Sequence, residues 1–309
     1  MKFTIYQNSR QGPRQYNQDR LAYSYSKHSL LAVLADGMGG HRHGELAAQL
    51  AVKTLTDSFQ RRALPILADP FKFLSEHIQQ VHDAIFSHAA ANDMFESPRT
   101  TIVAAVAQHD ELYCAHVGDS RLYHFRDGRL GFRTEDHSKV QLMFRKGLIN
   151  SREMLTHPER NKIYNCLGGD HPPRIDLAKK RALQEGDTIV LCSDGLWGGL
   201  DDEEMAEILQ NGPVTDRLPV LFDLAESRLG RNGDNISAIA FNWGGNQAGG
   251  VAVSTATMPL DLTSTIINPW LSGEENEMDQ RGGDLPVLTD EEIESAIAEI
   301  RSAIQKVSR

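Results

Sequence analysis

Three apolar runs in this chain each end on an aspartate beside a glycine. Leu30–Ala35 runs into Asp36-Gly37, Leu112–Val117 into Gly118-Asp119, and Thr188–Ser193 into Asp194-Gly195. A fourth aspartate, in Gly233-Asp234-Asn235, stands just before another apolar run. Short uncharged runs of this kind read as buried strands, and a strand end is a rigid mount for a side chain. Glycine beside it permits positive φ or close approach of the backbone to a ligand. One Asp-Gly after a strand is an ordinary turn signal. Three of them, with a fourth aspartate flanking another strand, point to a shared site. Converging carboxylates repel one another unless cations lie between them. An oxygen-only donor set selects hard ions, Mg²⁺ or Mn²⁺.

Strands and helices come in blocks. Residues 44–59 and 71–91 read as helices, the second with Leu74, Ile78, Val81 and Ile85 along one face. Residues 101–108, 111–117 and 120–126 read as an antiparallel meander, with turns at His109-Asp110 and Gly118-Asp119. A strand at 187–193, helices at 202–210 and 215–229 and a last strand at 235–242 follow. Helix pairs set apart from hairpin-like strands predict an α+β fold with antiparallel sheets.

Composition narrows the function. The net charge of −10 argues against a nucleic-acid partner, since phosphate backbones need basic patches. No apolar run approaches the roughly 20 residues of a membrane span, and Met1–Gln7 lacks the apolar stretch of a signal sequence. Cys114, Cys166 and Cys192 fall in no C-x-x-C spacing, as expected for reduced thiols of a cytoplasmic protein.

Charge is also uneven along the chain. From Gly244 onward there are 11 acidic and 4 basic residues, against 31 and 28 before it. Residues 244–286 are polar and aperiodic and are expected to form a flexible acidic linker. Within them Ile266-Ile267-Asn268-Pro269-Trp270-Leu271 is an apolar island and a candidate docking motif. Residues 287–309 predict an amphipathic helix: Thr289 and Glu292 make a capping box, followed by Ile293, Ile297, Ile300, Ile304 and Val307. A helix this short is marginal alone. It is expected to dock on the chain's own body, a second copy or a partner.

Arg14, in Arg14-Gln15-Tyr16-Asn17-Gln18-Asp19, offers a guanidinium five residues before a further carboxylate. Its fork matches two phosphoryl oxygens at once, although spacing alone does not separate this role from that of a surface arginine. The ordered set Arg14…Asn17-Gln18-Asp19, Ala35-Asp36-Gly37-Met38-Gly39-Gly40-His41…Gly44-Glu45, Ala115-His116-Val117-Gly118-Asp119-Ser120-Arg121, Leu191–Leu196 and Gly233-Asp234-Asn235 resembles the bacterial branch of the metal-dependent type-2C protein serine/threonine phosphatases. The resemblance covers residues 1–243 and implies a β-sandwich of two antiparallel sheets flanked by helix pairs.

It further implies that Asp36 bridges two Mn²⁺ or Mg²⁺ ions, the Gly37 carbonyl ligates the second, and Asp194 and Asp234 complete the first ion's shell. Asp119 and Asp194 correspond to the pair that holds a weaker third ion, and Asp19 to a residue acting through bound water. Arg14 corresponds to the phosphate clamp. Met38 stands where many eukaryotic relatives carry a proposed general acid, leaving His41 as the nearest proton donor or a hydrogen-bonding residue. Arg99 replaces a glycine usual before the Thr100-Thr101 pair. Phosphoserine and phosphothreonine proteins are the implied substrates, with a serine/threonine kinase opposing. A catalytically weak phosphoprotein-binding module of the same fold is the alternative, and the retained aspartates speak against it.

Overall fold

The computed structural model describes residues 1–38, 43–94, 96–150, 153–154, 157–244, 253–254 and 264–267. The strands are β1 (Lys2–Arg10), β2 (Asp19–Tyr25), β3 (Ser29–Asp36), β4 (Ile102–Gln108), β5 (Glu111–Val117), β6 (Arg121–Arg126), β7 (Arg129–Arg133), β8 (Asp176–Leu177), β9 (Arg181–Ala182), β10 (Thr188–Cys192), β11 (Ile236–Trp243), β12 (Val253–Ser254) and β13 (Ser264–Ile267). The helices are α1 (Gly44–Arg62), α2 (Pro70–Ala91), α3 (Lys139–Arg145), α4 (Asp194–Trp197), α5 (Asp202–Gln210) and α6 (Val214–Leu229).

One sheet runs β12-β1-β11-β10-β6-β7, the other β13-β2-β3-β4-β5-β8, with β9 also on β5. Every strand pair described is antiparallel. Period-two alternation sorts β3 into two cores. Leu30, Ala32 and Leu34 meet Ile189, Leu191, Ile239 and Phe241 of the opposite sheet. Leu31, Val33 and Ala35 face α1 and α2, against Leu50, Leu55 and Leu74. Because both faces are covered, the run is continuously apolar instead of alternating. Across the other sheet Val190, Cys192, Ala238 and Ala240 pack on Leu209, Leu218 and Phe222 of α5 and α6. The result is the four-layer α-β-β-α sandwich expected from the blocks and the resemblance.

Local signals account for the starts of α2 and α5. Asp69 caps α2 by accepting from the Lys72 N–H at 3.0 Å, with Pro70 at the first helical position. Asp201 caps α5 through the Glu204 N–H at 2.8 Å. His109 and Asp110 both have φ near +55°, the geometry of a tight hairpin turn between β4 and β5.

Sequence patterning leaves β1 and β2 unplaced, as well as β7, α3 and α4. β2 opens with two charged residues that are nonetheless buried. The Arg20 guanidinium donates to the carbonyls of Asn17 and Asp19 (both 2.8 Å) and to Gln49 Oε1 (3.1 Å). Beyond Gly244, the described residues of the expected linker form two short strands: Val253–Ser254 on β1 and Ser264–Ile267 on β2. The latter includes two residues of the apolar island. The remainder of that segment and the helix expected over 287–309 lie outside the described residues.

Candidate active site

The aspartates meet at one end of the sandwich because the strands that carry them share register. Asp19 opens β2 and Asp36 closes β3, and they are direct cross-strand partners. Asp119 follows β5, Asp194 is the first residue of α4 after β10, and Asp234 precedes β11. Between them lies a cleft of about 650 Å³ lined by Arg14, Asp36, Gly37, Asp119, Asp194 and Asp234 among others. Asp19 sits beneath, only 1% exposed.

The Asp36 backbone is pinned from β4. Its carbonyl accepts from the Thr101 N–H and the Thr100 hydroxyl, both at 2.9 Å, and its N–H donates to Thr101 Oγ1 at 3.1 Å. Gly37 is required by close approach: a Cβ there would lie 2.5 Å from the Gly44 backbone and 2.7 Å from the Gln18 carbonyl.

Electrostatically the cluster is frustrated. Burial, then the charges of Asp19, Asp194, Asp119 and Asp234, raise the Asp36 carboxyl well above its ordinary range. Asp194 is likewise raised, by burial and then by Asp119, Asp234 and Asp19, with Arg14 opposing. Burial and the charge of Asp136 push Asp119 up to about 7, against the pull of Arg121. Asp19 also rises to about 7 through burial, although hydrogen bonds from Ser237 and Ser193 work the other way. The Ser193 hydroxyl donates to Asp19 Oδ2 at 2.8 Å. Asp19 Oδ1 and Asp194 Oδ1 are buried without any partner. Buried acceptors of this kind are costly unless a proton or cation satisfies them. Five carboxylates and one exposed-edge guanidinium form a donor set that fits hard divalent cations.

Arg14 is at the mouth, its side chain 52% exposed, with Nη2 donating to Asp234 Oδ2 at 2.7 Å. Its loop is stitched by Asn235, whose Nδ2 donates to the carbonyls of Gln11 (2.8 Å) and Tyr16 (2.9 Å) while its Oδ1 accepts from the Gln18 N–H (2.9 Å). His41 lies outside the described residues. Arg99 does not line the cleft: its carbonyl accepts from the Met38 N–H at 3.0 Å and its guanidinium pairs with Asp170 at 3.5 Å. Lys139, which opens α3, and Lys162, in the segment after it, both pair with Glu159, so neither is an isolated cation, whereas Asn161 and Ile163 line the cleft. Leu167 is fully buried and bridges to Thr100, anchoring this segment.

Trp197 and Arg121 support the site in ways that no motif spells out. Trp197 donates its indole N–H to the Asp119 carbonyl at 3.0 Å. The Arg121 guanidinium stacks 3.6 Å from its ring and makes a double hydrogen bond to Asp136, both at 2.8 Å. Since Trp197 closes the helix that Asp194 opens, it links the two acidic positions. The only signals available were the adjacency of Trp197 to Asp194-Gly195 and of Asn235 to Asp234.

This sandwich carries, at one end, a carboxylate-lined cleft whose donors suit hard divalent cations. The sequence model described as protein phosphatase 2C matches residues 7–218. The serine/threonine phosphatase stp of Listeria monocytogenes serovar 1/2a is 32% identical over 229 residues, 73% of this chain and 90% of the relative. PstP of Mycobacterium tuberculosis is 34% identical over 210 residues, 68% of this chain and 39% of the relative. The Streptococcus agalactiae serine/threonine phosphatase superposes with a TM-score of 0.71 at 31% identity, covering 78% of this chain and 99% of that one. The catalytic domain of PstP in complex with two manganese ions gives 0.66 at 30% identity, covering 78% and 98%. The chain therefore belongs to the protein phosphatase 2C family, enzymes that hydrolyse phosphoserine and phosphothreonine in proteins with Mn²⁺ or Mg²⁺. Among the described residues no helix is long and apolar enough to cross a membrane.

Proposed function

We propose that the cleft holds a binuclear Mn²⁺ or Mg²⁺ centre at which phosphoproteins are hydrolysed directly by water. The observation that carries this reading is the pair of buried, unpartnered oxygens, Asp19 Oδ1 and Asp194 Oδ1, inside a ring of like charge. Asp36 and the Gly37 carbonyl, with Asp194 and Asp234, are the residues that would hold the two ions. Asp119 and Asp194 would hold a weaker third, with Asp19 supporting the site from beneath. When bound, such ions acidify water and offset charge on phosphoryl oxygens. The chain's own contribution is positioning. Arg14, at the mouth and free to reorient from Asp234, clamps the phosphoryl group. The threonine pair fixes Asp36, and Ser193 orients Asp19. His41 is the candidate proton donor to the leaving group.

Residues 1–243 form the catalytic body on this reading, 244–286 a tether and 287–309 a docking helix for the body or a partner. A cytoplasmic serine/threonine kinase is the opposing activity. The free cysteines, two of them buried, agree with a reducing compartment. The deciding assay is Mn²⁺-dependent hydrolysis of a phosphothreonine peptide, with chelator and Asp194→Ala as controls. Turnover abolished by both is expected. Turnover that survives both would overturn the metal mechanism, and an inert intact protein would favour the binding module.

A further inference from the structure

Asp119 is delivered by a turn whose other residue, Gly118, is gripped by a single residue through its side chain and its backbone. Gly118 has φ +105°, and a Cβ there would lie 2.6 Å from Thr101 Cγ2. Both of its backbone polar groups go to His137: the Gly118 N–H donates to His137 Nδ1 at 3.1 Å, and the Gly118 carbonyl accepts from the His137 N–H at 2.9 Å. A second donor, Asn165 Nδ2, reaches the same Nδ1 at 2.7 Å. The Asn165 amide is not free to flip. Its Oδ1 accepts from the Arg174 N–H at 3.0 Å and its Nδ2 also donates to the Arg174 carbonyl at 2.8 Å.

Two donors converging on Nδ1, one of them a backbone amide, leave the ring proton of neutral His137 on Nε2. That nitrogen faces Asp176 Oδ2 at 3.2 Å, and Asp176 is held in turn by Arg174 Nε (2.8 Å) and Nη2 (3.1 Å). His116 stacks on the ring at 4.8 Å between centroids and donates its Nε2–H to the Glu135 carbonyl at 2.8 Å. Burial foremost, then His116, pushes the His137 pKa below its usual value, with Asp176 opposing, so the ring is neutral at pH 7.

His116, His137 and Asp176 present ligand-type atoms within 4.8 Å of one another, which invites a metal reading. The tautomer argues against it. A ligating imidazole nitrogen must offer a lone pair, and His137 Nε2 carries the proton. The cluster instead sets His137 against the Gly118–Asp119 turn through Nδ1, with Nε2 3.2 Å from Asp176 Oδ2 but outside hydrogen-bond alignment. The segment returning from α3 joins it: the Tyr164 N–H donates to the His137 carbonyl at 2.9 Å, beside the Asn165 contact.

We propose that His137 is a positioning residue that aims the Asp119 carboxylate into the cleft and ties its placement to the segment carrying Tyr164 and Asn165. This rests on the reading of Asp119 as a carboxylate of the weaker ion, and the test separates the two. An asparagine at 137 can place Oδ1 where Nδ1 stands and still accept from the Gly118 N–H. A glutamine reaches toward Asp176 and leaves that N–H without an acceptor.

Mn²⁺ binding to the full chain is measured by calorimetry for wild type, His137→Asn, His137→Gln and Asp119→Asn, alongside ¹H–¹⁵N NMR of the wild-type imidazoles. The expected result is an Nε2–H tautomer for His137, hydrogen-bonded through Nδ1 to the Gly118 amide. His137→Gln should weaken the weakest Mn²⁺ step about tenfold and His137→Asn by less than about threefold, with the tighter steps unchanged. An Nδ1–H tautomer, or equal effects of the two His137 variants while Asp119→Asn loses the weak step, would overturn the proposal. If Asp119→Asn kept every step, the assignment of Asp119 would fall instead. The NMR arm needs no variant to fold.

Discussion

Replacing Asp119 by asparagine should stabilise the protein in chelator while weakening its hold on metal. The Asp119 carboxyl moves from 3.8 in the unfolded chain to about 7 in the fold. A raised folded value means the native state holds its proton more tightly. The associated stability is complete below pH 3.8 and is lost as pH rises through about 7. By pH 8 the ionised carboxylate costs up to about 4 kcal/mol, at about 1.4 kcal/mol per pH unit across the window. Asparagine removes that cost but buries an amide with incomplete partners, worth about 1–3 kcal/mol in the other direction. The net gain is about 2 kcal/mol at pH 8; at pH 5 only about 1.6 kcal/mol of the ionisation cost has accrued and the amide penalty roughly cancels it. For a body of this size that is roughly 4–8 °C in Tm.

The assay is thermal unfolding of wild type and Asp119→Asn in EDTA from pH 5 to pH 8. Buried histidines complicate each curve alone: His77, His82, His116, His124 and His137 are all pushed down by burial, so they make stability rise with pH. They cancel in the difference between the two proteins. A variant that is no more stable than wild type at pH 8, or equally stabilised at pH 5, would refute the claim that unneutralised like charge strains this cleft.

Other outcomes follow from the same geometry. Arg14→Ala should raise KM for a phosphopeptide at least tenfold and leave Mn²⁺ stoichiometry unchanged, because Arg14 is half exposed and supports no backbone element; inductively coupled plasma analysis beside the kinetics checks both. Trp197→Phe removes the indole donor from the Asp119 carbonyl and should cost about 1–2 kcal/mol in urea unfolding, with weaker binding of the last Mn²⁺. Gly37→Ala drives a Cβ to 2.5 Å from the Gly44 backbone; soluble yield and Tm should fall sharply, and an unchanged Tm would contradict the close packing of β3 on α1. Truncation after Gly244 should preserve turnover while lowering Tm slightly through loss of the two strands on β1 and β2.

Most of the architecture was legible because its cues are local. Leu30–Ala35 is uncharged since both faces of β3 are covered, and the spacing of Leu74, Ile78, Val81 and Ile85 marks the buried face of α2. β1 and β2 were not legible. β1 has weak alternation and owes its place to β11, with Phe3 opposite Trp243 and Arg10 opposite Ile236. β2 begins on buried Asp19 and Arg20, residues that read as loop until Asn17, Gln49 and the cleft supply partners. In the site, the aspartates stood out through their recurrence at strand ends. Trp197, Asn235 and His137 act on backbone groups of distant residues, and no local pattern encodes such contacts.

What the sequence determined by itself was the order of elements, the apolar faces and the chemical identity of the acidic donors, since helix and strand periods and turn residues are properties of neighbours along the chain. Only the tertiary structure decided which strand ends meet, which carboxyl is deepest and which nitrogen of His137 carries the proton. Those depend on desolvation and on donors brought from segments far apart in the chain, and both come into being only when the sheets close on one another.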